Sequence, residues 1–264
     1  MKILVPTDFS DNARNAFDFA KKLARISKAS TTLLYAYHNV YDFAAHSSSI
    51  TRQIKEDARK AVEELNTDGE IKIPVDYKIV QGYIATTIAS TAYREDFDLI
   101  IMGTQGASGI EKGLVGSNTA HVIKDSMVSV LAVPAHSSFD MVDKIVVSLE
   151  WLATEQRFFE RLFQITRQWQ LPYRSLHIKT SQEDPPKEKV IHLKEWLTKN
   201  EIDISHDTVL AQNLLEGVNQ YLKDNENGIF VMFYKKKPFF EYLVHKSRIE
   251  KMAYHTHVPL LVIK

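Results

Sequence analysis

The stretch KILVPTDF at residues 2–9 returns as KIVVSLEW at 144–151, and TLLYA at 32–36 returns as RSLHI at 174–178, both at an offset of 142. Further along, DLIIMGTQG (98–106) falls on GIFVMFYKK (228–236), and SMVSVLAVP (126–134) on THVPLLVIK (256–264), both at an offset of 130. Four matches in order with one change of offset are what a duplication leaves behind after a single deletion. The lost dozen or so residues fall after the second strand, near HNVYDFAAHSSSI (38–50), where a surface connection tolerates them. Each copy is then expected to fold the same way, so every element read in the first half constrains the second.

The first half alternates strand and helix. KILVP (2–6) is a short continuous apolar run, and the segment after it sets Ala13, Phe17, Ala20, Leu23 and Ala24 at helical spacing. Ser10 suits the cap of that helix, and Asp11 suits its positive N-terminal end. TTLLYAY (31–37) reads as the next strand. An amphipathic segment over 51–65 follows, with Ile54, Ala58, Ala61, Val62 and Leu65 on one face. Then come a strand at VDYKIV (75–80), a helix over 84–94, a strand at DLIIM (98–102), a glycine-rich stretch, a helix near 117–125 and a strand at SVLAVP (129–134). Strands apolar on both faces and separated by helices predict a parallel sheet covered on both sides. With the repeat, the expected fold is α/β: two tandem doubly wound five-stranded parallel-sheet domains, 1–140 and 141–264, joined by the polar stretch AHSSFD (135–140).

Lys plus Arg and Asp plus Glu number 33 each, so no global charge favours nucleic acid or an anionic membrane. Cysteine is absent, which excludes disulfides and thiolate chemistry. No apolar stretch approaches the ~20 residues of a spanning helix, and MKILVPTDFS lacks the pattern of a secretory signal. The expectation is a cytoplasmic protein with neither nucleic acid nor membrane as partner.

Five of the nine glycines, Gly103, Gly106, Gly109, Gly113 and Gly116, sit together after the fourth strand. A flexible surface loop would not explain why they lie between a strand and a helix and end in Gly-Ser. In an open parallel sheet, ligands bind beyond the carboxyl ends of the strands where the strand order reverses. The first and fourth strands flank that crevice and end here in VPTD and IIMG. Glycines leading into a helix at Ser117 expose backbone N–H groups beside a positive helix terminus, a seat for phosphate that needs no net charge. A Walker-type loop is excluded because no lysine follows the last glycine, and the dinucleotide fingerprint because PTDFS has no glycine. Asp8 has two readings, a ligand-side carboxylate or a cap on the following helix.

ILVPTDFS, DLIIMGTQGASG and the pattern Gly103-x2-Gly106-x9-Gly116-Ser117 resemble the universal stress protein family in its ATP-binding branch, strongly over 1–134 and weakly over 143–264. The resemblance implies ATP, ADP or AMP, with Mg²⁺, held at the ends of strands one and four, and pairing of domains through their last strands. Carried over, it sets Pro6, Thr7 and Asp8 beside the nucleoside, with Ala36 against adenine. Met102 and Gly103 then flank base and ribose, and Gly106, Gly116, Ser117 and Asn118 receive the phosphates. Domain pairing within the chain is the association that follows from it; whether two chains also form a homodimer, and which protein partner is bound, the sequence leaves open.

In the second copy Gly103, Gly106, Gly109, Gly113 and Gly116 become Phe233, Lys236, Phe239, Leu243 and Lys246, and Asp8 becomes Glu150. One nucleotide site per chain is therefore expected, with Phe233, Phe239 and Phe240 filling the lost one. No positioned base, arginine finger or acceptor site is visible, so the expected role is binding in stress response or signalling rather than catalysis. Two alternatives stand beside it: a slow ATPase or nucleotidyl transferase using Asp8 to hold Mg²⁺, and a ligand-free interaction module.

Overall fold

The computed structural model describes residues 1–38, 47–67, 71–104, 116–148, 155–180, 195–234 and 258–264. The first half runs β1 (Lys2–Pro6), α1 (Asp11–Ser27), β2 (Ser30–Tyr37), α2 (Ser47–Thr67), β3 (Val75–Gln81), α3 (Ile84–Arg94), β4 (Leu99–Gly103), α4 (Ser117–Asp125) and β5 (Ser129–Val133). The second runs β6 (Lys144–Ser148), α5 (Glu155–Thr166), β7 (Tyr173–Lys179), α6 (195–199), β8 (Ile204–Leu210), α7 (Leu214–Lys223), β9 (Gly228–Phe233) and β10 (Leu260–Ile263).

Among the described residues, ten strands form one sheet in the order β3-β2-β1-β4-β5-β10-β9-β6-β7-β8. Within each half the strands are parallel, and the halves meet where β5 and β10 run antiparallel. The ladders repeat the sequence offsets: Ile3 faces Leu99 on β4, and Ile145 faces Ile229 on β9. Across the joint Leu131 pairs with Leu261, flanked by Val130 with Val262 and Ala132 with Leu260. Those positions are equivalents of each other, so a pseudo-two-fold axis passes between the two leucines and the contact is isologous.

Each helix follows from its pattern. Ser10 caps α1 by accepting from the Ala13 N–H at 3.3 Å, and Ala13, Ala16, Phe17, Ala20, Leu23 and Ala24 are buried against the sheet. α2 begins earlier than the amphipathic pattern alone indicates and buries Ala58, Val62 and Leu65. The sheet carries two cores, one under α1, α2 and α5 and the other under α3, α4 and α7.

The expected linker is a packed connection rather than a loose tether. Phe139 is buried edge-on to Phe19, their ring centroids 5.4 Å apart. The Asn15 amide on α1 donates to the carbonyls of Pro134 and Ser137 at 2.9 and 3.0 Å. Arg161 on α5 reaches into the first half and donates to the Asp98 carbonyl at 3.0 Å.

Lys264, just beyond β10, lies against α4 of the first half with Asp125 facing it and Lys124 and Tyr234 close by. Burial lowers its ammonium from 10.5 to about 8, opposed by the Asp125 carboxylate. Below about pH 8 both folded and unfolded chains hold this proton, and above about 10.5 neither does. Between those values the unfolded chain binds more protons, so the contribution of this group to folding stability rises with pH. Urea unfolding at pH 7 and pH 10 should show the wild type gaining stability relative to Lys264→Met across that window.

Candidate functional site

The strand order places β1 beside β4 while their connections leave in opposite directions, which opens a crevice at their carboxyl ends. Past β1 the ladder continues with the Thr7 N–H donating to the Leu34 carbonyl at 2.9 Å. The chain then turns sharply at Phe9, a non-glycine residue at φ 63°. Thr7 Oγ1 accepts from the Phe9 N–H at 3.0 Å and braces that conformation. Asp8 is exposed at the mouth, its Oδ1 accepting from the Ser10 N–H at 3.1 Å and the Ser10 hydroxyl at 2.5 Å. Ser10 therefore caps α1, and Asp8 orients the cap.

On the other side Gly103 ends β4 against α1. A Cβ there would stand 3.0 Å from Asn12 Cγ, Nδ2 and backbone O, so any larger residue would have to push Asn12 on the helix back by a few tenths of an ångström. Gly116 precedes α4 with φ −61° and ψ 155°, a conformation open to any residue. Its N–H donates to the Thr104 carbonyl at 2.5 Å. The first backbone bond of α4 is Ala120 N–H to the Gly116 carbonyl, so the helix leaves the amides of Ser117, Asn118 and Thr119 without intrahelical acceptors. The Thr119 hydroxyl donates to the Gly103 carbonyl at 2.8 Å and ties the helix start to β4.

Of the residues singled out in the sequence, Pro6, Thr7, Asp8, Ala36, Met102, Gly103, Gly116, Ser117 and Asn118 line one cavity, and Gly106 lies outside the described residues. Ala13, Leu34, Ile84, Ile88 and Thr119 complete its wall and were not anticipated. The signals were present: Leu34 is two residues before Ala36 on the same strand face, and Ile88 is one helical turn after Ile84. The cleft has an apolar end formed by Leu34, Ala36, Ile84, Ile88 and Met102 and a polar end formed by Thr7, Asp8 and the first turn of α4. A flat apolar group with an anionic tail matches that division.

Residues 1–134 match the sequence model of the universal stress protein family. The chain belongs to that family. Universal stress protein MJ0531 of Methanocaldococcus jannaschii is 30% identical over 138 residues, covering 50% of this chain and 81% of that protein. Universal stress protein MJ0577 of the same organism is 27% identical over 156 residues, 52% of this chain and 96% of the relative. The crystal structure of a universal stress protein from Archaeoglobus fulgidus DSM 4304 superposes along 100% of this chain and 98% of its own, with a TM-score of 0.67 at 16% identity. That last likeness is one of fold.

The second half of this universal stress protein keeps the architecture and changes the crevice. Ile178 on β7 stands where Ala36 stands on β2 and is buried. Its Cγ2 and Cδ1 would lie 2.5 and 2.8 Å from a Cβ on Gly217 of α7, so the isoleucine fills the space up to the helix backbone. Phe233, at the position of Gly103, is buried as well, but on the α5 side: its ring lies 5.3 Å from Phe158 and 5.1 Å from Phe159. Among the described residues, Ile178 fills the crevice toward α7, an occupant the sequence did not suggest, while Phe233 packs on the α5 side. Glu150, Lys236, Phe239, Phe240, Leu243 and Lys246 lie outside the described residues. No helix of the described residues is long and apolar enough to cross a membrane.

Proposed function

We propose that residues 1–140 bind an adenine nucleotide, ATP, ADP or AMP, and that residues 141–264 bind none. The observation that carries this reading is the contrast at one position: alanine leaves the apolar end of the first cleft open, and isoleucine closes the second. The base would enter between Ala36, Ile84 and Met102, the ribose would pass Asp8 and Gly103, and the phosphates would reach the amides of Ser117 and Asn118 at the positive end of α4. Gly116 would contribute close approach rather than its own N–H, which is already bonded to Thr104.

Among the described residues no group of three or more His, Cys, Asp or Glu side chains gathers. Asp8 is the carboxylate at the cleft mouth, so Mg²⁺ would arrive on the phosphates with Asp8 as its protein-side neighbour. The role in stress response or signalling would then be exercised by occupancy.

Equilibrium titration with ATP and Mg²⁺ should give one site per chain. At 100 times Kd the ligand should add ~2.7 kcal/mol to stability. Two equivalent sites, or no binding at millimolar ATP, would refute the proposal. Multiple-turnover phosphate release lost in Asp8→Ala would favour a hydrolase instead.

A further inference from the structure

We propose that the second half of the chain positions the cleft of the first by gripping the far end of α4, with Lys264 and Tyr234 as positioning residues. The inference rests on the nucleotide reading of the cleft for its consequence, but not for the grip itself. α4 has nine residues and spans ~13 Å, with its first turn at the cleft and its last turn at the joint between the halves. The last carbonyls of a helix need partners from outside it. Here Val122 O accepts from the Ser126 N–H at 2.9 Å, Ile123 O accepts from Lys264 Nζ, and Lys124 O accepts from the Tyr234 hydroxyl at 3.1 Å. Two of these three donors belong to the other half of the molecule.

The donors are themselves fixed. Lys264 Nζ sits 3.3 Å from the centroid of the Tyr234 ring. The Lys264 N–H donates to Ser129 Oγ at 3.2 Å, and the Tyr234 N–H donates to the Ile263 carbonyl at 2.8 Å. A cation at the negative end of a helix adds an attraction that operates only close to the last turn. The duplication shows that the grip is not a by-product of the fold. Thr104 occupies the position of Tyr234 and repeats its backbone bond, donating to Val133 O at 3.0 Å, yet it has no phenol to reach a helix. Pro134 occupies the position of Lys264 and has no ammonium. The first half therefore carries neither of these two donor side chains at the equivalent positions and cannot return this grip in kind.

A helix held at both ends transmits a displacement of one end to the other. Thr119 ties the start of α4 to Gly103, and Lys264 and Tyr234 tie its end to β9 and β10. Loosening the second tie leaves the amides of Ser117 and Asn118 less well placed for phosphate.

The test compares the full-length wild type with the Lys264→Met/Tyr234→Phe double variant and with Lys264→Arg, which keeps a charged donor. Hydrogen exchange without nucleotide should accelerate in the double variant at the amides of 120–125, while β1 and β4 keep their protection. The Kd for ATP should rise about tenfold, within the usual range of coupling between separated sites. Lys264→Arg should stay near wild type in both measurements. Unchanged exchange over 120–125, or exchange that accelerates equally through β1 and β4, would overturn the grip. A wild type that binds no ATP would overturn the nucleotide reading, and the exchange data alone would then decide the grip.

Discussion

Ala36→Ile should abolish the proposed nucleotide binding while leaving the chain folded. In differential scanning fluorimetry with ATP at 100 times the wild-type Kd, the wild type should gain ~2.7 kcal/mol and the variant nothing. The basis is a substitution already made once in the same molecule. β2 and β7 occupy equivalent places in the two halves, and both positions lie next to the first turns of the following helix, α3 or α7. At position 178 isoleucine fits because Gly217 faces it. At position 36 the residue standing where Gly217 stands is Thr87, which is buried, so the new side chain has less room and must turn into the cleft beside Ile84 and Ile88. Overpacking of this kind costs about 1–3 kcal/mol, less than a typical domain's stability, so urea unfolding should still show a cooperative transition. Calorimetric titration that still finds ATP bound with wild-type affinity would mean that the apolar end of the cleft is not where the base lies.

The same position shows what could be read from sequence and what could not. The offset of 142 already aligned Ala36 with Ile178, but a change from small to large says little until the opposing surface is known. That surface is Gly217, on a helix separated from β7 by the whole β8 unit. The strands and helices of the first half were legible because burial on two faces writes itself as apolar runs and helical periodicity. α3 and α4 fall at Ile84–Arg94 and Ser117–Asp125, where that reading put them. The start of α2 was not legible, since Ser47, Ser48 and Ser49 carry no apolar periodicity.

Nine of the ten residues singled out in the first half line one cavity and Gly106 lies outside the described residues, yet for two of the nine the physical reason differs. Gly103 answers to the crowding of Asn12, and Gly116 spends its N–H on Thr104. Both facts are contacts between segments distant in sequence, which composition and spacing do not encode. The joint of β5 with β10 was suggested by family resemblance, and its register puts the axis between Leu131 and Leu261. Asn15 and Phe139, which pack the connection onto α1, and Arg161, which crosses between the halves to Asp98, gave no sign of it in the sequence.

That axis makes Leu261→Asp the most disruptive single change expected in the second half. Leu131 and Leu261 are both fully buried in the core that runs beneath α1 and α5 across the joint. A carboxylate at 261 would have no partner there, and an unpaired buried charge costs several kcal/mol even after its pKa rises. The chain can relieve that cost only by parting β5 from β10, which exposes two strand edges and also releases Lys264, three residues further on. Loss of more than ~4 kcal/mol at the joint is expected. The volume-conserving Leu261→Met should cost less than ~1.5 kcal/mol and serves as the control.

The three tryptophans, Trp151, Trp169 and Trp196, all lie in the second half, so their fluorescence follows that half and, through Trp169 in the 167–169 turn packed against α1, its contact with the first, while far-ultraviolet circular dichroism reports both halves throughout. In the wild type the two signals should change together in urea, as one cooperative unit, and ATP should move both midpoints although neither Trp169 nor Trp196 lines the cleft. In Leu261→Asp the signals should separate, and ATP should move only the circular dichroism transition. Coincident transitions at the wild-type midpoint would mean that the halves do not depend on the Leu131–Leu261 contact, and the route by which the second half steadies α4 would then have to bypass β10.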